Sequence, residues 1–240
     1  MSERDAYTIQ AKREHQQPHD PAAPDNKPVK GRVGVIKLHG QIAPGSKALN
    51  FDKIHDSIAR AFNMRGLTAI ALDINSPGGS PVQSQMIADT IRYYANETGV
   101  PVYSFVQDAA ASGGYWLACA GDEIYAQPVS VVGSIGVISA GFGFHELMDK
   151  LGVERRVQTA GENKLKNDPF QQQGEDDKRE VEAIQSQIHQ EFKNWVHERR
   201  GTCLQDDESV LMNGDVWTGR KAVDKGLVDG IGMLAPVMIR

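Results

Sequence analysis

The sequence predicts an α/β protein built on a parallel sheet, and three observations carry that expectation. Apolar, strand-like runs alternate with segments of helical periodicity, the pattern of parallel βαβ units. The run Leu67-Thr-Ala-Ile-Ala-Leu-Asp-Ile74 is apolar almost throughout, as a strand covered on both faces must be, and it leads into the glycine-rich Asn75-Ser-Pro-Gly-Gly-Ser-Pro81. A chain of 240 residues, 40% of them hydrophobic and 24 of them glycine, is long enough to bury one core of its own.

The elements follow in order. Residues 1–30 are polar and charged and carry Pro18, Pro21, Pro24 and Pro28, so a disordered N-terminal arm is expected there, with a single domain over 31–240. Arg32–Leu38 reads as the first strand. Phe51–Met64 puts Phe51, Ile54, Ile58 and Phe62 on one helical face. Leu67–Ile74 is the second strand, and Val82–Asn96 a helix carrying Val82, Met86, Ile87 and Ile91. Pro101–Val106 is a third strand, and Tyr115–Ala120 a short apolar helix. Asp122–Ala126 and Gly136–Ser139 read as later strands, Phe144–Leu151 as helix and Val153–Thr159 as extended chain. Asp176–Arg200 is a long amphipathic helix with the stripe Val181, Ile184, Ile188, Phe192 and Val196, a face suited to core packing or to an oligomer contact. Thr218 is placed to cap a helix over Gly219–Lys225, which Gly226 would end.

Composition excludes several classes. The net charge of −5 and the lack of a basic, aromatic stripe argue against nucleic-acid binding. Two cysteines, Cys119 and Cys203, make no disulfide framework, and Cys119 in its apolar segment reads as a small core residue. No H-E-x-x-H or paired Cys/His spacing suggests a metal, and no cofactor is expected. No run approaches 18 apolar residues and no secretory signal opens the chain.

Two segments carry chemistry. In Ala109-Ala-Ala-Ser-Gly-Gly-Tyr115 a serine stands at the start of a helix, with small residues before it and two glycines after it. That arrangement presents a nucleophile beside outward-pointing amides; its plainer reading is a serine N-cap of a buried helix. Gly78 and Gly79 lie at the carboxyl end of a strand, where α/β sheets gather ligands, and their bare backbone N–H groups suit an oxyanion hole. A phosphate-binding loop is the rival there, but neither the Walker spacing nor G-x-G-x-x-G is present.

Together these segments resemble the signal-peptide peptidase A family of serine–lysine peptidases, which shares the repeated ββα, parallel-sheet fold of the Clp protease and crotonase superfamily. The matching stretches are Asp73–Ser80, Ala111–Tyr115, Val131–Ile138, Gly161-Glu-Asn-Lys164 with Asp168-Pro-Phe170, and Val216–Gly219 with Gly226–Asp229. The resemblance implies Ser112 as nucleophile, Lys164 as general base, Ser134 as the hydroxyl that orients the lysine, and Gly79 and Gly113 as the oxyanion hole. Lys166 is a local competitor, but the family pattern places the base three residues after a glycine and five before Pro-Phe, so the resemblance implies Lys164, which alone fits Gly161 and Pro169-Phe170. Gly78, Ser80, Pro81, Ile135 and Gly136 fall where an extended substrate would lie as an added strand.

A free lysine titrates near about 10.4, so a lysine base must be made neutral; lowering it by about two to three pH units corresponds to about 3–4 kcal/mol. Burial can supply that. A Ser-His-Asp triad is the rival mechanism, with His39 and His145 the histidines best placed for a cleft. The expected activity is hydrolysis of remnant signal peptides or unfolded polypeptides through an acyl-enzyme. The alternatives are a crotonase-type acyl-CoA enzyme and a non-catalytic, peptide-binding adaptor. The resemblance further implies a homo-oligomeric ring, an octamer among the candidate sizes, with active sites shared between protomers. Many members carry a membrane anchor that this chain lacks, which points to a cytoplasmic or membrane-peripheral protein, or to an anchor outside this sequence.

Overall fold

The computed structural model describes the backbone of Ala6–Thr8 and residues 31–161 and 163–235. The chain divides into two compact units, Met1–Gly136 with Phe192–Arg240, and Val137–Glu191. Apart from Ala6–Thr8, the expected N-terminal arm over 1–30 lies outside the described residues.

The first unit is a mostly parallel α/β sheet, the fold class expected. Strand β1 (Ala6–Thr8) pairs antiparallel with β2 (Arg32–His39), and β2, β3 (Leu67–Ser76), β4 (Val102–Ala111), β5 (Glu123–Ala126) and β8 (Gly230–Ile231) follow in parallel. Period-two alternation sends Ile36, Leu38, Ile70, Leu72 and Ile74 into the main core. Val33, Ala69, Ala71 and Phe105 form a smaller cluster of their own. The main core also takes Ile58 and Phe62 of α1 (Phe51–Phe62) and Ile87 and Ile91 of α2 (Pro81–Thr98). Each such side chain contributes about 1.5–3 kcal/mol on burial. Val82 and Met86, expected on the same face, are exposed. Local chemistry sets the helix ends: Asn50 accepts from Lys53 N at 3.0 Å at the start of α1, while Ser80, Pro81 and a left-handed Gly99 bound α2.

Strand β4 belongs to two ladders. Its residues 103–106 pair with β5, and Ala109–Ala111 pair with β6 (Val131–Gly133), which pairs antiparallel with β7 (Val216–Thr218). The strand expected over Gly136–Ser139 is therefore displaced to Val131–Gly133. Positive φ at Gly133 (110°) and Ser134 (53°) turns the chain out of the ladder before residue 136 is reached. Past β4 comes α3 (Gly113–Ala118); the one-turn α6 (Glu208–Leu211) precedes β7, and α7 (Gly219–Asp224) follows it, with Thr218 at the N-cap of α7 but making no side-chain capping bond.

The second unit holds α4 (His145–Leu151) and the first turns of α5 (Glu175–Arg200). None of its described residues is buried as a whole. Val153–Thr159 forms no strand, because no partner strand faces it among the described residues. The α5 stripe is only half core: Phe192 and Val196 are buried, whereas Ile184 is 51% exposed.

Candidate active site

Ser112 occupies the single residue between β4 and α3, at φ 52° and ψ −123°. A non-glycine residue there carries strain of about 1–3 kcal/mol, and the surroundings hold it in place. Its N–H donates to Gly133 O at 2.8 Å, and its carbonyl accepts from Tyr115 N at 2.8 Å and Trp116 N at 3.0 Å. The plain capping role fails: the hydroxyl makes no capping bond, so it is not spent on its own helix.

The Asn75–Pro81 loop lies against this turn. Gly78, at φ 97°, has no room for a side chain: a Cβ would stand 2.7 Å from Ala111 O and 2.8 Å from both Gly113 N and Ser112 Cβ. The Ser76 hydroxyl steadies the loop, accepting from Gly78 N at 3.2 Å and donating to Gly40 O at 2.7 Å. Gly79, at φ 143°, bridges Ile42: Ile42 N donates to Gly78 O at 2.9 Å, and Ser80 N to Ile42 O at 2.8 Å. In that pattern residue 79 turns its own N–H and C=O away from Ile42. Gly79 N lies 3.3 Å from where a Cβ on Gly113 would stand. Neither the Gly79 nor the Gly113 N–H has an acceptor among the described residues. Two free amides thus flank the Ser112 turn. Ser80 and Pro81 open α2, where the Ser80 hydroxyl accepts from Gln83 N at 3.4 Å.

Ser134, at φ 53°, donates its N–H to Asp215 O at 2.7 Å. Ile135 is buried, and Gly136 packs close to Gly214, whose Cα would lie 3.2 Å from a Cβ at 136. Gly78, Gly79, Ser80, Pro81, Ser112, Gly113, Ser134, Ile135 and Gly136 therefore all belong to the first unit.

Lys164 belongs to the second unit, where it is exposed and its N–H donates to Gly161 O at 3.2 Å. Its competitor Lys166 pairs with Glu180. The hydrogen bond to that carboxylate, with its charge and those of Asp177 and Asp176, raises the Lys166 ammonium above the ordinary lysine value. A raised lysine keeps its proton and makes a poor base. The neighbouring Asp168-Pro-Phe170 has its own local order: Asp168 pairs with Arg155, which holds its carboxyl below the usual range, and accepts from Phe170 N at 3.1 Å. Phe144 N donates to Pro169 O at 2.6 Å, and the Phe144 and Phe170 rings meet at 5.7 Å.

Around His39 no triad is assembled among the described residues. His39 Nε2 lies 3.2 Å from Asp73, which also accepts from Gln107 at 2.6 Å, and no serine joins that cluster among the described residues. Cys119 is buried, and burial pushes its thiol up to about 12, so it remains a neutral core group. Residue types alone did not reveal Ser76, Ile42 and Ser84. Ser84 Oγ fills the space a Gly113 side chain would need and donates to Ser80 O at 2.9 Å.

The profile of Peptidase family S49 matches residues 94–239, more than half of the chain. Among curated proteins, the "Na(+)/H(+) antiporter NhaA" of Brucella melitensis is 47% identical over 208 residues, covering 85% of this chain and 28% of that protein. No helix among the described residues is long and apolar enough to cross a membrane. The "Probable protease SohB" of Haemophilus influenzae is 33% identical over 203 residues, covering 84% of this chain and 55% of that protein. The "Putative signal peptide peptidase SppA" of Enterococcus faecium is 31% identical over 170 residues, covering 70% and 48%. The chain thus spans between 28% and 55% of the length of these relatives. With the glycine loop, the serine turn and the α/β sheet that carries both, the match establishes that the chain belongs to peptidase family S49, the signal-peptide peptidase A group.

Proposed function

We propose that the chain is a serine endopeptidase domain in which Ser112 attacks the scissile carbonyl and Lys164 is the general base. The observation that carries this reading is the strained Ser112 turn flanked by the unpaired amides of Gly79 and Gly113. The Ser112 hydroxyl gives its proton to the neutral Lys164 amine as Oγ bonds to carbon. The carbonyl oxygen becomes an oxyanion and takes the two amide hydrogens. Lysine then returns the proton to the departing amine, leaving an acyl-enzyme. Water, deprotonated by the same lysine, releases the acid. Ser134 orients the lysine. The engagement of Lys166 with Glu180 supports Lys164 in this role.

Substrate lies extended beside Gly79. One edge of the Gly78–Ser80 backbone is occupied by Ile42, so the opposite edge, with the Gly79 amide and carbonyl, pairs with the peptide. Ile42 Cδ1 would stand 3.3 Å from a Cβ on Gly113, and such apolar walls favour small or hydrophobic residues before the cut. Remnant signal peptides or unfolded chains fit these needs.

A fluorophosphonate probe with the labelled residue mapped tests the reading. Labelling at Ser112, lost in Ser112→Ala and in Lys164→Ala, is the expected result. Labelling elsewhere, or binding of acyl-CoA that is indifferent to Ser112→Ala, would overturn it in favour of a different nucleophile or a crotonase-type reaction.

A further inference from the structure

The carboxyl end of α3, opposite Ser112, ends in carbonyls that a short helix cannot satisfy by itself. The last turns of α5 meet them. Trp195 Nε1 donates to Trp116 O at 3.0 Å, Arg199 Nε to Cys119 O at 3.0 Å, and an Arg199 terminal nitrogen to Gly121 O at 3.1 Å. The same guanidinium reaches Asp122 at 3.1 Å. Arg92 of α2 adds a bond to Ala120 O at 3.1 Å and one to Asp122 at 2.7 Å. Asp122 is fixed in turn to the start of β4, accepting from Val102 N at 2.9 Å.

We infer that Arg199, with Trp195, is a positioning residue for the proposed nucleophile: it clamps the carboxyl end of α3 so that the helix holds Ser112 in its left-handed turn. The inference rests on the Ser112 reading of the site. Three features argue for a clamp rather than generic packing. The donors converge on one short segment, at the carbonyls of Trp116, Cys119, Ala120 and Gly121. A planar guanidinium holds two of those carbonyls and a carboxylate at once, which an ammonium cannot copy. The helix so held is tied straight to Ser112, whose carbonyl takes the N–H groups of Tyr115 and Trp116. A tilt of α3 about its carboxyl end therefore moves the Ser112 turn and the Gly113 amide together.

The test compares wild type, Arg199→Ala, Arg199→Lys and Trp195→Phe. Lys193→Gln is the control, since Lys193 lies on the same helix but pairs with Glu208. Two readouts are taken: the rate of fluorophosphonate labelling, and amide hydrogen exchange at Tyr115 and Trp116. A full 1 Å displacement costs roughly a hundredfold in rate, so Arg199→Ala is expected to label about tenfold more slowly, with faster exchange in α3 and unchanged exchange in β2 and β3. Arg199→Lys should not restore the rate, added methylguanidinium should restore Arg199→Ala in part, and Lys193→Gln should match wild type. Unchanged α3 exchange in Arg199→Ala overturns the clamp. Faster exchange with an unchanged labelling rate overturns the positioning role. A wild type that is not labelled at Ser112 refutes the nucleophile reading instead, and the exchange data still decide whether the clamp exists.

Discussion

Ser112 sits in a backbone conformation that serine seldom adopts, fixed by a bond to Gly133 and by its own helix, with its hydroxyl left free of capping duty. The heptapeptide around it is legible as the start of a helix. Its left-handed φ is not, because that φ is imposed by Gly133, 21 positions downstream in the chain. The choice between the two lysines rests on the family resemblance alone, and the Lys166–Glu180 pair is compatible with it. We expect Lys164→Ala to abolish peptide hydrolysis in a folded protein, and Lys166→Ala to be mild. Ser134→Ala should fall between, losing one orienting hydrogen bond worth on the order of 1–3 kcal/mol. Kinetics on purified variants checks all three, and strong loss in Lys166→Ala alone would reverse the assignment. The rate should also rise on the alkaline side of neutrality, since the base must shed a proton. Lys166 is poorly suited to that rise, because its hydrogen bond to Glu180 holds its ammonium above the ordinary lysine value. A pH–rate profile that instead follows a group near about 6.5, and vanishes when His39 is replaced, would point to a histidine base.

Among elements, β2, β3 and β4 are legible because their apolar runs are long: β3 is buried over most of its length, and β2 and β4 keep apolar residues at most of their buried positions. The short strands are not. Val131–Gly133 and Val216–Thr218 have three residues each, and only pairing with each other and with β4 makes them strands. The α5 stripe is uniform in sequence, yet burial begins at Phe192, because periodicity records which face is apolar and not how far along the helix anything covers it. The Gly78-Gly79 loop is legible as glycine-rich, and the structure shows why. A Cβ at Gly79 would strike the Ile42 carbonyl, whereas Gly40, also left-handed at φ 91°, has open space around it. Gly40→Ala should therefore cost only the backbone penalty, about 1–2 kcal/mol. Gly79→Ala should cost more and remove fluorophosphonate labelling. Urea unfolding of the two variants measures the difference, and equal losses would mean that the Ile42 bridge is not rigid.

The whole molecule presents a contrast between a sheet unit with a large core and a unit of residues 137–191 in which no described residue is buried. A segment that buries so little of its own surface gains little stability alone, so contacts beyond itself are expected to support it. A ring of copies, which the family resemblance implies, would supply such contacts. Light scattering should give a mass several times 26.3 kDa. Mixing inactive Ser112→Ala with inactive Lys164→Ala protein should restore activity if the dyad is shared between copies. A fully active monomer would defeat the ring, and an oligomer without complementation would confine each dyad to one chain.

The double membership of β4 has a consequence for the newly made protein. Ser112 takes its shape from Gly133, β6 is paired by Val216–Thr218, and Ser134 is tied to Asp215. Synthesis runs from the amino end, so a ribosome that has already released the serine, the glycine loop and the lysine still holds back the strand that closes this chain of bonds. The nascent polypeptide thus carries the proposed nucleophile and the proposed base for about fifty codons without the geometry in which they would cut, a safety catch set by the order of synthesis.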